Sequence, residues 1–386
     1  MTDWTPTRDA GLAQLEAFLP RAGRQYRDRR NHDFGPEDRS NVSALSPWLA
    51  HRLVHEREVI SAALAEHGPE GAEKFVQEVV WRGYFRGWLE QRPGVWHQYV
   101  DARERALMAL DKDKAMRADW EAAVEGRTGI EGFDDWAQEL AAHGWLHNHA
   151  RMWFASIWIF TLRLPWSLGA DFFLRHLMDG DAASNTLSWR WVGGLHTKGK
   201  TYLARRDNIR KYTGGRFDPE GLSDEDPIPE AAETPDPTPL PQADAEPAEA
   251  LWLLTEDDLS PAPEGPVAAL DGPTARSPLE LGAHAAAFTR GALDDAAGRL
   301  DAARVSSVEE IVQAARDAGQ DTIALRRPLA GPVADRLEGL RAAAEGAGLA
   351  LHLTRDPYDA AVWPHCRKGF FAVKKQIPRL VDELEL

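Results

Sequence analysis

Two short segments of the chain gather residue types that could bind a flat, redox-active heterocycle. In G-W-L-H-N-H-A-R-M-W (144–153), a spacing of three and four residues puts Asn148, Arg151 and Met152 on one face of a helix. In D-G-D-A-A-S-N-T-L-S-W-R-W (179–191), a second group falls on or near one side of another helix. Its members are Asp179, Asp181, Asn185, Trp189 and Trp191. A tryptophan-rich helical core with mutually paired polar groups would give the same pattern.

These two segments resemble the flavin-binding helical domain of the DNA photolyase and cryptochrome family. Its members carry W-M-H-N-R-x-R-M, followed by D-G-D-x-x-x-N-x-x-x-W-x-W. The resemblance implies that FAD is the cofactor and that Arg151 and Asp179 form a buried ion pair at the polar edge of the flavin ring. It places Asn185 opposite flavin N5, where photolyases have asparagine, plant cryptochromes tend to have aspartate and insect cryptochromes cysteine. Asn185 therefore matches the photolyases, which are the repair enzymes of the family.

Two segments further upstream match the same family in the right order. N-V-S-A-L-S-P (41–47) stands where the family has T-S-x-L-S-P, a segment that contacts the flavin diphosphate, and Val42 replaces one threonine. Hydroxyls and free N–H groups at a helix start can hold a phosphate. E-V-V-W-R-G-Y-F (78–85) resembles E-L-I-W-R-E-F-Y, with Gly83 in place of a glutamate. The resemblance thus implies the following cofactor-binding residues: Tyr26, Ser43, Leu45, Ser46, Phe75, Arg82, Arg151, Asp179, Asp181 and Asn185.

The same resemblance implies a substrate, DNA that contains cyclobutane pyrimidine dimers. Glu78 and Trp81 match the acid and the indole that hold the damaged pair. Asn148 and Met152 match the cyclobutane-dimer enzymes, because the (6-4) photoproduct enzymes carry histidines at both places. The implied catalytic residues are Glu78, Trp81, Asn148, Met152 and Trp191. His149 replaces the usual arginine of this motif.

The family also draws electrons to the flavin through three tryptophans. Trp189 and Trp166 match the inner two at the family's spacing. The outermost has no counterpart, and Trp120, the nearest indole in sequence, is out of register with the G-R-T-G segment at 126–129. The resemblance implies light-driven repair, in which excited, reduced flavin passes an electron to the dimer and regains it after the ring splits. The alternatives are a cryptochrome-like blue-light receptor without repair activity and a flavin-binding scaffold.

Composition restricts these possibilities further. Hydrophobic residues make up 43% and charged residues 27% of the chain, as in soluble globular proteins, and no apolar run reaches the ~18 residues of a membrane span. The single cysteine, Cys366, excludes an intrachain disulfide and a cysteine-ligated iron–sulfur cluster, which favours a cytoplasmic location. His365 beside Cys366 does not amount to a metal site, so we expect no metal.

Charge divides the chain into two parts. Residues 1–217 carry 30 Lys and Arg against 29 Asp and Glu, whereas residues 218–386 carry 15 against 32, a net charge of −17. Residues 190–216 contain eight Lys or Arg and one acid, a cluster that could neutralise DNA phosphates or simply be a solvated surface. The acidic second part is a candidate surface for a protein partner.

The sequence predicts a mainly α protein with a smaller α/β domain at its C-terminal end. Residues 1–217 form the photolyase-like helical domain, 218–248 an acidic Pro-rich linker, and 249–386 the α/β domain, where apolar strand candidates alternate with helices. Strands are expected at 251–254, 322–325 and 349–354. The family has such an antenna domain before the helical one, so the order of domains would be exchanged here. An unrelated α/β domain is the competing interpretation.

Overall fold

The computed structural model describes residues 4–260 and 264–386. Its first half is helical, with α1 to α11 at Arg8–Phe18, Arg24–Arg29, Ser46–Ala50, Glu56–Glu90, Gly94–Leu110, Lys114–Val124, Phe133–His143, Asn148–Ser156, Trp166–His176, Ala182–Val192 and Arg206–Tyr212. Short 3₁₀ and π turns follow α1 at Leu19–Arg21 and α8 at Ile157–Thr161. In these described residues, no helix has the length and apolar character needed to cross a membrane.

The second half is an α/β layer. Its strands β1 to β5 are Leu251–Leu254, Val267–Leu270, Ala303–Val305, Thr322–Arg326 and Ala350–Thr354, and they form one parallel sheet in the order β3-β2-β1-β4-β5. Its helices α12 to α18 are Ala283–Leu300, Val308–Asp317, Pro332–Arg336, Leu340–Gly346, Pro357–Val362, Phe370–Lys374 and Ile377–Glu383. All the pairings between these strands are parallel. Helices return the chain between β2 and β3, β3 and β4, and β4 and β5, whereas β1 and β2 follow each other with no helix among the described residues between them. The predicted fold class is therefore confirmed.

The central element of the helical part is α4. It contains a kink at Gly68, whose φ of 66° is a left-handed conformation that glycine adopts without strain, and Pro69 begins the second segment. From Ala72 to Glu90 most of its side chains are buried, and it contacts α10, α2 and the C-terminal helix α16. This segment positions residues on two sides, one facing α10 and the other facing the C-terminal helices.

Glycines on α4 explain how the C-terminal helices can lie so close. A Cβ on Gly83 would lie 3.1 Å from the Tyr358 ring, and one on Gly87 would lie 2.6 Å from the Trp363 side chain and 2.9 Å from its Cα. Glycine at both places leaves the room that these aromatic residues occupy. The departure from the family's glutamate at Gly83 therefore accompanies the packing of the C-terminal segment against α4.

The stretch 218–248 has no helix or regular strand. It crosses the surface in an extended form, with the Thr238 N–H donating to the Gln91 carbonyl (2.8 Å) and the Asp244 N–H to the Leu353 carbonyl (3.0 Å). Backbone contacts of this kind tie it to both halves of the molecule. The predicted domain limits at 217 and 249 remain predictions.

Ionic groups are buried where the two halves meet. The Arg52 guanidinium donates to Asp258 (2.9 Å), Asp359 (2.7 Å) and Glu56 (3.2 Å), and all four side chains are buried. Arg52 thus joins α4 to the loop after β1 and to α16. Buried charges require such partners, because an unpaired ion in the interior is strongly unfavourable.

A buried carboxyl group at this interface makes stability depend on pH. Glu90, at the end of α4, accepts a hydrogen bond from the Ala330 N–H (2.7 Å). Burial raises the pKa of Glu90 to about 7, and the nearby Arg327 and Arg355 offset this only in part, since Asp359 acts in the opposite direction. Between the ordinary carboxyl pKa and about 7, the folded protein holds a proton that the unfolded chain has released, so stability falls as pH rises.

We therefore expect Glu90→Gln to be more stable than the wild type at pH 8, by about 1–3 kcal/mol, because the amide keeps the acceptor oxygen and has no charge to desolvate. At pH 5 the two proteins should differ little. Urea denaturation at both pH values measures the difference. A Glu90→Gln variant less stable than the wild type at pH 8 would show that the carboxylate is stabilised by its surroundings.

Candidate functional site

The centre of the candidate site is an ion pair between α8 and the loop that precedes α10. Arg151 Nη2 donates to Asp179 Oδ2 at 3.0 Å, and Arg151 Nε donates to the Leu146 carbonyl. A second guanidinium, that of Arg82 on α4, lies 3.8 Å from the same carboxylate oxygen. Burial alone would raise the pKa of Asp179, but these two cations outweigh it and lower the pKa, so the carboxylate stays ionised. The pair expected between Arg151 and Asp179 is present.

Asp181 starts α10 rather than lying along it. Its Oδ1 accepts the Ser184 N–H (2.8 Å) as the N-cap, and its Oδ2 accepts Arg86 Nε at 2.7 Å. Arg82 Nη1 is 3.6 Å away. Burial opposes ionisation here too, but Arg86 and Arg82 hold the pKa of Asp181 well below its usual range. Both aspartates therefore lie just before the second helix, because a turn at Met178 and Asp179 precedes it and the helix begins after Asp181.

Two polar atoms in this cluster have no hydrogen-bond partner among the described residues. They are Asp179 Oδ1 and Arg82 Nη1, both fully buried. An unsatisfied buried polar group costs about 1–3 kcal/mol, so such atoms point to a polar ligand that would complete them. Asn185, one turn into α10, donates Nδ2 to the Ala170 carbonyl at 2.8 Å, which fixes the direction of its side-chain oxygen. A buried carboxylate, guanidinium and amide fit the polar edge of a flavin.

The segment 43–46 reaches this cluster through Trp145. Ser46 Oγ accepts the Trp145 indole N–H at 3.0 Å, and the Arg151 guanidinium lies 5.9 Å from the centre of the Trp145 ring. Ser43 Oγ accepts the Leu45 N–H (3.4 Å), and Leu45 is fully buried. The structure thus brings Ser46 next to the Arg151 pair, as the assignment of this segment to the cofactor requires.

Tyr26 and Phe75 form a separate aromatic contact. Their ring centres are 5.1 Å apart in an edge-to-face arrangement, and both rings also contact Phe18. Both side chains are buried. They connect α2 to α4 and are part of the apolar core.

The residues assigned to the substrate lie on three helices and are partly exposed. On α4, Glu78 pairs with Lys74 (2.7 Å) and Arg30 (3.2 Å). On α8, Asn148 is exposed, and its Nδ2 lies 4.0 Å from the Met152 sulfur. Their partial exposure is what contact with a large polymer requires.

The two tryptophans of this group stack on different partners. Trp81 packs against Phe370 with ring centres 3.9 Å apart, and Trp191 stacks on Tyr202 at 5.7 Å. Trp81 and Trp191 share no ring contact in the described part of the chain. The contact with Phe370 was not predicted, because it comes from a short C-terminal helix, α17, for which the sequence has no periodic signal.

The histidine that replaces the family's arginine has a structural place. His149 stacks on Trp153 with ring centres 4.1 Å apart, and its two nitrogens meet the Asn31 carbonyl (2.9 Å) and the Tyr202 hydroxyl (3.1 Å). Burial lowers its pKa, so the ring is neutral at pH 7 and unsuited to pairing with phosphate. The cation that the family has here is thus missing.

The tryptophans assigned to electron transfer lie in the core. Trp189 is one turn beyond Asn185 on α10, and its ring centre is 6.1 Å from that of Trp158. Trp158 donates its indole N–H to the carbonyl of Pro165, the residue before Trp166. The Trp166 ring in turn lies 5.9 Å from Tyr99, and Tyr99 lies 5.2 Å from Trp96.

Comparison with known proteins shows what the helical part of the chain is similar to. Residues 75–252 match a family model described as the FAD binding domain of DNA photolyase. A deoxyribodipyrimidine photo-lyase of Thermus thermophilus is 36% identical over 217 residues, which cover 56% of this chain and 49% of that protein. The enzyme of the same name from Streptomyces griseus is 34% identical over 232 residues, covering 57% and 48%.

Among solved structures, a bacterial class III photolyase from Agrobacterium tumefaciens is similar with a TM-score of 0.46 and 27% identity, over 55% of this chain and 43% of that one. The chain spans about half the length of the curated relatives that it matches.

Proposed function

Because this chain carries an FAD-binding domain of the DNA photolyase kind, we propose that it is a light-driven flavoprotein that repairs cyclobutane pyrimidine dimers in DNA. The observation that carries the proposal is the buried cluster of Arg151, Asp179 and Arg82, which lies inside the matched segment and has two polar atoms without partners. The relatives named as deoxyribodipyrimidine photo-lyases support the choice of reaction.

In this proposal the ionised Asp179 holds two guanidiniums in place and leaves one carboxylate oxygen for the cofactor. Asn185 is oriented by its bond to the Ala170 carbonyl, so its oxygen can accept a hydrogen bond, and the amide stays neutral because it does not ionise at pH 7. Trp145, whose indole N–H donates to Ser46 Oγ, lies with its ring centre 5.9 Å from the Arg151 guanidinium. These residues bind and orient the cofactor, and their electrostatics are fixed before it binds.

We assign five residues to the two joined pyrimidines of the dimer: Glu78, Trp81, Asn148, Met152 and Trp191. A dimer must leave the helical stack to reach them, which is less costly for a damaged step than for an intact one. Indoles offer flat apolar surfaces to the bases, and the Glu78 carboxylate and the Asn148 amide can hydrogen-bond to their polar edges. When reduced FAD is bound and excited by light, it would supply the single electron that splits the cyclobutane ring, and the electron would then return to the flavin.

The test is repair of an oligonucleotide that contains one thymine dimer, assayed in blue light and in darkness with chemically reduced protein. We expect the dimer to disappear only in the light. Binding of FAD without any light-dependent repair would contradict the proposal and favour a cryptochrome-like receptor. Absence of bound FAD would contradict both.

The substrate assignment predicts the effect of removing either indole. Trp81→Ala and Trp191→Ala should each lower the preference for dimer-containing over undamaged DNA by about one to two decades, because stacking on an aromatic ring contributes about 1–3 kcal/mol per base. Competition binding with matched oligonucleotides measures this. Trp120→Ala is the matched control, since Trp120 is an indole outside the assigned group. An unchanged preference in both variants would remove these tryptophans from the site.

A further inference from the structure

The stretch 360–381 differs in charge from the region around it. It contains five Lys or Arg residues and no Asp or Glu, although residues 218–386 as a whole carry a net charge of −17. Two of the five are paired, Lys374 with Glu73 (3.5 Å) and Arg379 with Glu383 (3.6 Å). The other three, Arg367, Lys368 and Lys375, are exposed and form no ion pair with any described residue. These cations are available to an anionic partner.

Two adjacent phenylalanines of α17 lie among these cations and point in different directions. Phe370 is buried and stacks on Trp81, with 3.9 Å between ring centres. Phe371 is 77% exposed. A single exposed apolar side chain needs no explanation in itself, but an exposed aromatic ring among unpaired cations has the composition of a surface that binds nucleic acid strands.

A second set of cations lies in the loop after α10, which contacts α4 through His196. Tyr84, one turn after Trp81 on α4, contacts the Phe370 ring at 5.6 Å, and its hydroxyl lies 3.1 Å from His196 Nε2. His196 lies in the loop after α10, which also carries the exposed Lys198 and Lys200. Tyr84 on α4 therefore contacts both the loop, through His196, and the C-terminal stretch, through Phe370.

We propose that the segment 367–375, here called the C-terminal basic segment, is a DNA-contact element in which Arg367, Lys368 and Lys375 bind phosphates and Phe371 stacks on an unpaired base. The inference rests on the proposed function for its partner, DNA, and goes beyond it because the segment lies outside the matched residues 75–252. Phe370 anchors the segment to Trp81, one of the residues assigned to the dimer, and Phe371 is its exposed neighbour in sequence.

The phosphate contacts are tested by salt dependence. The variant Arg367→Gln/Lys368→Gln/Lys375→Gln is compared with the wild type by fluorescence anisotropy on an undamaged, dye-labelled single-stranded oligonucleotide at several salt concentrations. Each lost phosphate contact lowers the slope of log affinity against log salt by about 0.7, so the slope should become shallower by about 2. Lys112→Gln/Lys114→Gln is the control and should leave the slope nearly unchanged; it removes two exposed lysines, one between α5 and α6 and one at the first residue of α6.

The stacking contact is tested by Phe371→Ala. Affinity for the same oligonucleotide should fall about 5- to 100-fold with no change in the salt slope. Met108→Ala, at another exposed apolar side chain (55% exposed), is the control and should bind like the wild type. Because both side chains are exposed, neither substitution should change the melting temperature.

If the triple variant and Phe371→Ala both bind DNA with wild-type affinity and slope, the inference is overturned. It is also overturned if they lose binding only to vesicles of phosphatidylcholine and phosphatidylserine, which would identify a membrane contact. Two separate measurements on the wild type test the proposed function: its FAD content and its preference for dimer-containing DNA. A wild type without dimer preference, whose variants still lose affinity for DNA, would contradict the proposed repair and support the DNA-contact element.

Discussion

Replacing Asp179 with alanine should yield a folded protein that is purified almost without FAD. The carboxylate lies 3.0 Å from Arg151 and 3.8 Å from Arg82, and it is buried. Without it, two guanidiniums face each other with no counter-ion, and breaking a buried pair in this way costs about 3–5 kcal/mol. Cofactor binding weakens about tenfold for every 1.4 kcal/mol by which the substitution destabilises the FAD-bound protein more than the FAD-free protein. The ratio of flavin to protein absorbance after purification measures the loss.

Two controls separate a loss of FAD from a loss of fold. Asp179→Asn keeps the size of the side chain and one acceptor oxygen, so it should retain more FAD than the alanine variant. Asp359→Ala removes another buried carboxylate, which pairs with Arg52 at 2.7 Å and lies outside the matched segment. It should lower stability but leave FAD content per folded molecule unchanged. Full FAD occupancy in folded Asp179→Ala would show that the cofactor lies elsewhere.

The parts of the site that could be predicted from the sequence are those in which local spacing decides the geometry. Arg151 and Asp179 occur in two segments whose residue types and intervals are specific, and the structure pairs them. The apolar runs at 251–254 and 322–325 predict strands because buried parallel strands need continuous apolar residues, and both strands form. The sequence predicts Asp179 and Asp181 on or near the second helix, and the structure shows them just before its first residue, because spacing does not show where a helix begins.

The parts that could not be predicted depend on contacts between distant residues. Phe370 and Trp81 are 289 positions apart, and only the packing of α17 against α4 brings their rings together. The helices α16, α17 and α18 have five to seven residues each, too few for a helical period to be visible. Gly83 illustrates the same limit, since its departure from the family pattern has a reason only when Tyr358 is seen beside it.

Trp189→Phe should abolish the light-driven reduction of oxidised flavin. Trp189 follows Asn185 by one helical turn on α10, so the two side chains share a face, and its buried indole N–H has no hydrogen-bond partner among the described residues. An indole gives up one electron far more readily than a phenyl ring, so the variant keeps the packing and removes the donor. Absorbance changes of the flavin under blue light in the presence of a thiol reductant measure the rate. Photoreduction at the wild-type rate would show that Trp189 is a core residue only.

The outer end of the path is tested by comparing two other indoles. The rings of Trp166, Tyr99 and Trp96 follow one another at 5.9 and 5.2 Å, and Trp96, itself buried, borders an open cavity of about 450 Å³ in which a small reductant would lie next to its ring. Trp120 on α6 shares no ring contact with another aromatic side chain in the residues that the structure describes. Trp96→Phe should therefore slow photoreduction more than Trp120→Phe.

Repair assayed with chemically pre-reduced flavin should survive Trp189→Phe, Trp96→Phe and Trp120→Phe, because that reaction draws no electron from these rings. Loss of repair in pre-reduced Trp189→Phe would instead indicate a disturbed cofactor site.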